Sequence, residues 1–196
     1  MNILFLVASY LLGSLPSGYV FFWISEKKDI RNFGSGSTGA TNLFRLKGWK
    51  LALPALFIDV LKGVLPAYLA IRVLSDIQLA ALSALLAVIG HCFPVYLKFR
   101  GGKGVATMMG AFAVLAFKPF LISLTIWLLI IGISRYVSLG SLLAAFSYPF
   151  LTLIFHNEKE IIYVSIALFL IVAIRHLGNI NSLIKGKERK LGERKG

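Results

Sequence analysis

The stretch VATMMGAFAVLAFKPFLISLTIWLLIIGI, Val105–Ile133, decides the fold. Its only charged residue is Lys118, followed by Pro119 near its middle. Read as one helix, it makes the chain a six-span protein; read as two short helices, it makes seven. Proline cannot donate a backbone hydrogen bond and disfavours helix at the preceding residue, so a break is expected at Lys118-Pro119. Charge points the same way. With seven spans, Arg135 and the basic tail Arg175–Lys195 share a face with Lys27, Lys28, Arg31, Lys98 and Arg100. With six, Arg135 and the tail change sides, against the rule that Lys and Arg collect on the cytoplasmic face. The seven-span reading puts 17 of the 21 Lys+Arg on one face and three on the other, with Lys62 inside a span.

Outward from that stretch, the spans are Ile3–Ile24, Leu51–Ile71, Leu79–Leu97, Val105–Phe117, Phe120–Ile133, Ser138–Phe155 and Ile161–Ile174. A full span needs roughly 17–25 mainly apolar residues, and a polar cavity shortens the path. The expected class is all-α: a polytopic integral membrane protein with seven transmembrane helices, some short or broken. The N-terminus is expected outside and the C-terminus in the cytoplasm, with residues 1–196 forming one membrane-embedded domain. Composition agrees, at 58% hydrophobic and a mean hydropathy of +0.81. A net charge of +13 invites nucleic acid. The basic residues are juxtamembrane, however, where they serve topology and anionic headgroups, so no nucleic-acid partner is expected. Cys92 is the only cysteine, which excludes an intrachain disulfide. MNILFLVASYLL lacks a basic leader and reads as a retained first span. That span is interrupted by Gly13-Ser-Leu-Pro-Ser-Gly18, read as a kink with close small-residue packing. The tail Lys185–Gly196 is expected to fray beyond its first turn.

Three cytoplasmic clusters carry chemistry. In the first, Gly34-Ser-Gly-Ser-Thr-Gly39, successive backbone N–H groups can turn inward around an oxyanion. Ser35, Gly36, Ser37, Thr41 and Asn42 are candidate donors there, and Arg45 offers a bidentate fork for phosphate. The G-x-G-x-x-G spacing is no dinucleotide fingerprint, because no strand precedes it, and no Gly-Lys-Ser/Thr makes it a Walker loop. The second cluster, Arg100-Gly101-Gly102-Lys103-Gly104, opens a helix, where free N–H groups and the helix dipole favour an anion. Lys103 adds a point charge. The third, Arg175-His-Leu-Gly-Asn179, puts His176 and Asn179 three apart, on one face if the helix continues. His176 is a candidate general base or phosphate donor. Ser141, in the sixth span, is a further candidate binding residue. Asp59 and Lys62 lie three apart in the second span, where ionisable groups usually pair, so a structural pair competes with a catalytic role. His91, at the inner end of its span, is a weaker candidate. No histidine has an aspartate five residues later, which excludes a His-x4-Asp acyltransferase site. There is no metal-ligating cluster and no G-x-S-x-G elbow.

Several blocks occur together and in order: Gly13-Ser-Leu-Pro-Ser-Gly18; Gly34-Ser-Gly-Ser-Thr-Gly-Ala-Thr-Asn42 with Arg45; Asp59-x-x-Lys62-Gly63; Gly90-His-x-Phe-Pro94; Phe99-Arg-Gly-Gly-Lys-Gly-Val-Ala-Thr107; and Arg175-His-x-x-Asn-Ile180 with Gly186 and Glu188. In these the chain resembles the bacterial acyl-phosphate:glycerol-3-phosphate acyltransferases, the PlsY family, over nearly its full length. Two departures are visible. Ser37 stands where the family commonly has Asn, and Asn181-Ser182 where a basic residue commonly precedes the leucine.

The resemblance implies transfer of a fatty acyl group from acyl phosphate to the 1-hydroxyl of glycerol 3-phosphate, giving lysophosphatidate and inorganic phosphate. Acyl-CoA would not be the donor. This is the first acylation of bacterial phospholipid synthesis, in the cytoplasmic (inner) membrane with the site toward the cytoplasm. No cofactor, metal or obligate protein partner is expected. Lys103, His176 and Asn179 are the expected catalytic residues, and acyl phosphate needs no covalent enzyme intermediate. Two other readings compete. A transporter of a phosphorylated solute lacks support from an inverted repeat or a polar outer gate. A non-catalytic scaffold leaves the clustered phosphate donors unexplained.

Overall fold

A computed structural model describes residues 2–156 and 158–193. The helices are α1 (Ile3–Gly13), α2 (Ser17–Glu26), α3 (Ala40–Lys47), α4 (Trp49–Arg72), α5 (Ile77–Cys92), α6 (Val105–Leu115), α7 (Phe117–Ser134), α8 (Val137–Phe155), α9 (Lys159–Arg175) and α10 (Leu177–Ile184). Among the described residues, five stretches are long and apolar enough to cross a membrane: Ile3–Glu26, α4, Ile77–Leu97, α7 and α8. A sixth is added if α9 and α10, bent by 60°, form one broken span. The short apolar helix α6 stands apart from that set. The chain is thus an all-helical polytopic membrane protein with five to six candidate spans.

The decisive stretch does break, but not at Lys118-Pro119. The break is the extended residue Ala116, at φ −151°, and Pro119 sits in the first turn of α7. The first N–H groups of a helix have no intrahelical acceptor, so a proline there sacrifices no hydrogen bond. The expected segments Val105–Phe117 and Phe120–Ile133 are therefore two helices with boundaries a few residues away, of which only α7 is long enough to cross a membrane.

The interior is the reverse of a soluble core. Its buried cluster is rich in alanine, including Ala67, Ala70, Ala80, Ala84, Ala111 and Ala145. Large side chains such as Ile133, Ile154 and Leu128 lie on the outside. Small residues let backbones approach closely where lipid removes the hydrophobic drive for helix association. The α4–α6 seam is the clearest case. A methyl added at Gly63 would meet the Thr107 carbonyl oxygen at 1.9 Å, and one at Gly110 the Val60 carbonyl oxygen at 2.1 Å.

The kink between α1 and α2 is satisfied from α4. Lys62 Nζ donates to the Leu15 carbonyl at the break, which also accepts the Ser17 N–H at 3.1 Å. Asp59 accepts from Ser17 Oγ at 2.5 Å and from Lys62 at 2.6 Å. Asp59 and Lys62 are 1% and 2% exposed, so each charge needs the other to remain within the bundle.

Candidate active site

All three polar clusters meet at one end of the bundle. Helix α3 carries Thr41 and Asn42 near its start and Arg45 in its last turn. The loop between α5 and α6 carries Gly101–Gly104, and the α9–α10 break carries His176 and Asn179. Arg31 bridges the first two by donating to the Leu97 carbonyl at 2.9 Å while forking onto Asp29. That fork holds the Asp29 carboxyl below its usual range. Arg175 bridges the second and third, donating from Nε to the Gly102 carbonyl and from a terminal nitrogen to the Gly101 carbonyl, both at 3.0 Å.

Two cavities open here. One, of about 320 Å³, has the polar clusters at its head and an apolar body walled by Val60, Met109, Ala113, Phe120 and Leu124. The other, of about 510 Å³, is polar and carries Gly36, Gly101, Arg175, Lys187 and Arg189 on its wall. Six residues line both: Ser35, Ser37, Arg45, Lys103, Asn179 and Glu188. Thr41, Asn42, Gly104, Ser141, His176, Asp59 and His91 line the first only. Gly102 and Lys62 line neither.

The first glycine loop is held from within. Asn42 is 2% exposed and donates from Nδ2 to the carbonyls of Ser37 and Phe33, at 2.9 and 3.2 Å. Its Oδ1 accepts from the Ser35 amide at 2.9 Å. Asn42 thus organises the loop, and the amides of Ser37 and Thr38 remain without a backbone acceptor. The second loop narrows differently. The Gly101 and Gly102 amides donate to the carbonyls of Cys92 and His91, at 3.2 and 3.0 Å. With both N–H groups donated and both carbonyls engaged by Arg175, these two glycines have no backbone donor left for an anion. The anion capacity of this loop falls to Lys103 and the start of α6.

Lys103 donates to Asn179 Oδ1 at 2.5 Å. Burial pulls its ammonium down to about 8, with Glu188 opposing and Arg45 and Arg175 reinforcing the shift. Asn179 in turn donates to Glu188 Oε1 at 2.8 Å, which also accepts from Ser138 Oγ at 2.7 Å. Arg45 donates from a terminal nitrogen to the Arg189 carbonyl at 3.1 Å, while its buried Nε has no hydrogen-bond partner. Burial also lowers its affinity for the proton. A buried, unpaired guanidinium N–H beside a cavity is the mark of an anion site. His176, 2% exposed, places Nδ1 at 2.8 Å from the Val172 carbonyl. A carbonyl can only accept, so Nδ1 carries the proton and Nε2 keeps a lone pair. Burial first, then the Lys103 charge, lowers the His176 pKa to about 4, so the ring is neutral near pH 7. Ser141 Oγ donates to the Val137 carbonyl and accepts from Trp127 Nε1 at 3.2 Å, which fixes both on the cavity wall.

The tail corrects an expectation. It folds back instead of fraying after one turn: Leu191 N–H donates to the Arg135 carbonyl at 2.7 Å, and Arg135 donates to the Leu191 carbonyl at 2.8 Å. Residues 194–196 lie outside the described residues, as does Asn157 in the His156–Glu160 loop. Sequence reasoning left Glu188 and Ser138 out of the site. The available signal was Glu188 itself, an acidic residue inside a strongly basic tail of a chain with only 8 Asp+Glu.

The fold and site define a class: an integral membrane protein built to hold an anionic headgroup beside an apolar chain. Comparison narrows the class. A family model for glycerol-3-phosphate acyltransferase matches residues 3–186. The chain is 43% identical to a glycerol-3-phosphate acyltransferase of Syntrophotalea carbinolica, covering 94% of this chain and 95% of that one. It is 45% identical to one from Shouchella clausii, covering 94% and 93%. It superposes with a TM-score of 0.91 on a crystal structure of PlsY (YgiH), an integral membrane glycerol 3-phosphate acyltransferase, in its glycerol 3-phosphate form. That pair is 34% identical, with 97% of this chain and 95% of that one covered. The lysophosphatidic acid form of the same protein gives a TM-score of 0.87. The chain belongs to the glycerol-3-phosphate acyltransferase family, of the PlsY kind, and is an enzyme.

Proposed function

We propose that this enzyme moves a fatty acyl group from acyl phosphate to the 1-hydroxyl of glycerol 3-phosphate, at the cytoplasmic face of a bacterial inner membrane. The observation that carries the reading is the pair of cavities meeting at Arg45, Lys103 and Asn179. The polar cavity suits glycerol 3-phosphate, the apolar one suits the acyl tail, and the reacting carbonyl belongs where they join. The glycerol oxygen bonds to the carbonyl carbon, and the bond from that carbon to the phosphate oxygen breaks, its electron pair leaving with phosphate. Lys103 neutralises the charge growing on the leaving group, as preorganised cations do in a water-poor site. Arg45 forks a substrate phosphate through Nε and its neighbouring nitrogen. The hydroxyl proton ends on phosphate, directly or by way of His176 Nε2. A ring with a pKa of about 4 is a poor base near neutrality, which favours the direct route.

Seven spans, with α6 as a short one and α9 as the last, put the N-terminus outside and the site inside. The excess of Lys and Arg around the site supports this orientation. A cysteine at position 158 should label from intact cells and one at 187 should be protected; the reverse pattern rejects the orientation. Purified protein in lipid should release phosphate only when acyl phosphate and glycerol 3-phosphate are both supplied. Robust turnover with acyl-CoA and none with acyl phosphate rejects the donor.

A further inference from the structure

We infer that His91, held by Asp59, is a positioning residue for acyl transfer: its imidazole is the stop against which the Gly101–Gly104 turn, and with it Lys103, is set. The inference rests on the acyltransferase reading for its assay and on contacts outside the reacting groups for its argument.

Gly102 has no positive φ, so no left-handed backbone demands a glycine there. What excludes a side chain is the His91 ring. A methyl at Gly102 would stand 2.1 Å from Nε2, 2.9 Å from Cδ2 and 3.0 Å from Cε1. The same residue takes the turn's backbone, because the His91 carbonyl accepts the Gly102 N–H at 3.0 Å. On its other side, His91 Nδ1 lies 3.5 Å from Asp59 Oδ1. Asp59 is itself immobilised by Ser17 and Lys62. The chain of contacts runs from the kinked first span through Asp59 and His91 to Gly102. Lys103 is the next residue, and its ammonium is joined to Asn179.

His91 lines the apolar cavity, which invites a role as a base. Its two nitrogens argue otherwise: Nδ1 faces Asp59 and Nε2 abuts Gly102, so neither is directed at a substrate oxygen. Its contribution is geometric. A misplacement of about 1 Å in a catalytic group costs on the order of 100-fold in rate, so the fit of a ring against one glycine has leverage on turnover.

The test is a suppressor pair in purified, lipid-reconstituted enzyme. Wild-type turnover of acyl phosphate with glycerol 3-phosphate first checks the reaction; its absence rejects the reaction and leaves the fit of His91 against Gly102 to be judged by thermal stability alone. Gly102→Ala should lower kcat on the order of 100-fold, with the KM for glycerol 3-phosphate changed less than about threefold. Adding His91→Ala vacates the space that the new methyl needs, and the double variant should recover at least about tenfold over Gly102→Ala. A double variant no faster than Gly102→Ala, with both folded, overturns the inference. Should Gly102→Ala fail to fold, His91→Ala alone decides. Pyrazole has the shape of imidazole without its basicity, and it should refill the site and restore kcat. Rescue by imidazole but not by pyrazole would make His91 a base and overturn the positioning role, as would wild-type kcat in His91→Ala.

Discussion

The two glycine-rich loops look alike in the sequence and are built on opposite principles. Gly34–Gly39 is organised by one side chain a few residues downstream: Asn42 makes two hydrogen bonds to it and a third to Phe33 just before it. Gly101–Gly104 contains no such organiser. The carbonyls of His91 and Cys92 and the guanidinium of Arg175 hold it from outside. A self-contained loop presents spare amides and is suited to binding. A loop clamped by two other helices fixes one cation to high precision and is suited to chemistry. The difference teaches that glycine density marks where a chain can approach a phosphate, while the surrounding acceptors decide whether its amides are free to do so.

If that division holds, changes in the second loop lower kcat and changes in the first raise KM. The largest effect is expected for Lys103→Ala, about 100- to 1000-fold in kcat, the usual loss for one preorganised electrostatic donor. Steady-state kinetics of the folded variant near wild-type rate would remove Lys103 from the chemistry. Next comes a matched pair. Arg175→Ala frees the Gly101 and Gly102 carbonyls and should lower kcat by tens of fold, on the order of one hydrogen bond to a charged group. Asn42→Ala should instead raise the KM for glycerol 3-phosphate roughly tenfold, the equivalent of about one net hydrogen bond, with kcat less affected. The same signature from both variants would break the comparison.

A smaller effect is expected at His176. His176→Asn should raise the KM for glycerol 3-phosphate several-fold and leave the pH profile in place. If the ring were the base, a drop of roughly 100- to 10,000-fold in turnover and a flattened acidic limb would follow instead. The mildest effect is on the alkaline side. In the substrate-free enzyme Lys103 is charged below about pH 8 and neutral above it, so kcat/KM should fall as pH rises through about 8. Lys103→Arg, which stays charged, should lose that limb even where its overall rate is lower. An alkaline limb that survives in Lys103→Arg would assign it to another group.

The all-helical, membrane-crossing character was legible because apolar length is a one-dimensional property; the expected count of seven was not, as five to six stretches are long and apolar enough to cross. Ala116 was not, since proline at position 119 is equally at home in a break and in a first helical turn. Of the candidate site residues, Arg45, Lys103, His176 and Asn179 are picked out by residue type and spacing, and the structure gathers them around one cleft. Asn42 reads as a candidate donor in the sequence, and only the structure shows it organising the loop. Ser138 and Glu188 were missed because their meeting joins residues 50 positions apart.

By itself, the sequence determined that this chain enters a membrane and which family its motifs resemble. Lipid and water sort side chains by local polarity, and phosphate chemistry restricts which residues gather in a motif. Only the tertiary structure decided which of those donors stay free. Each N–H and C=O has finite capacity, and a partner from elsewhere in the chain can fill it, as Asn179 does for Lys103 across 76 positions. The same reason hides the fit of Gly102 against His91: no local pattern records which ring will occupy the space where a side chain is missing.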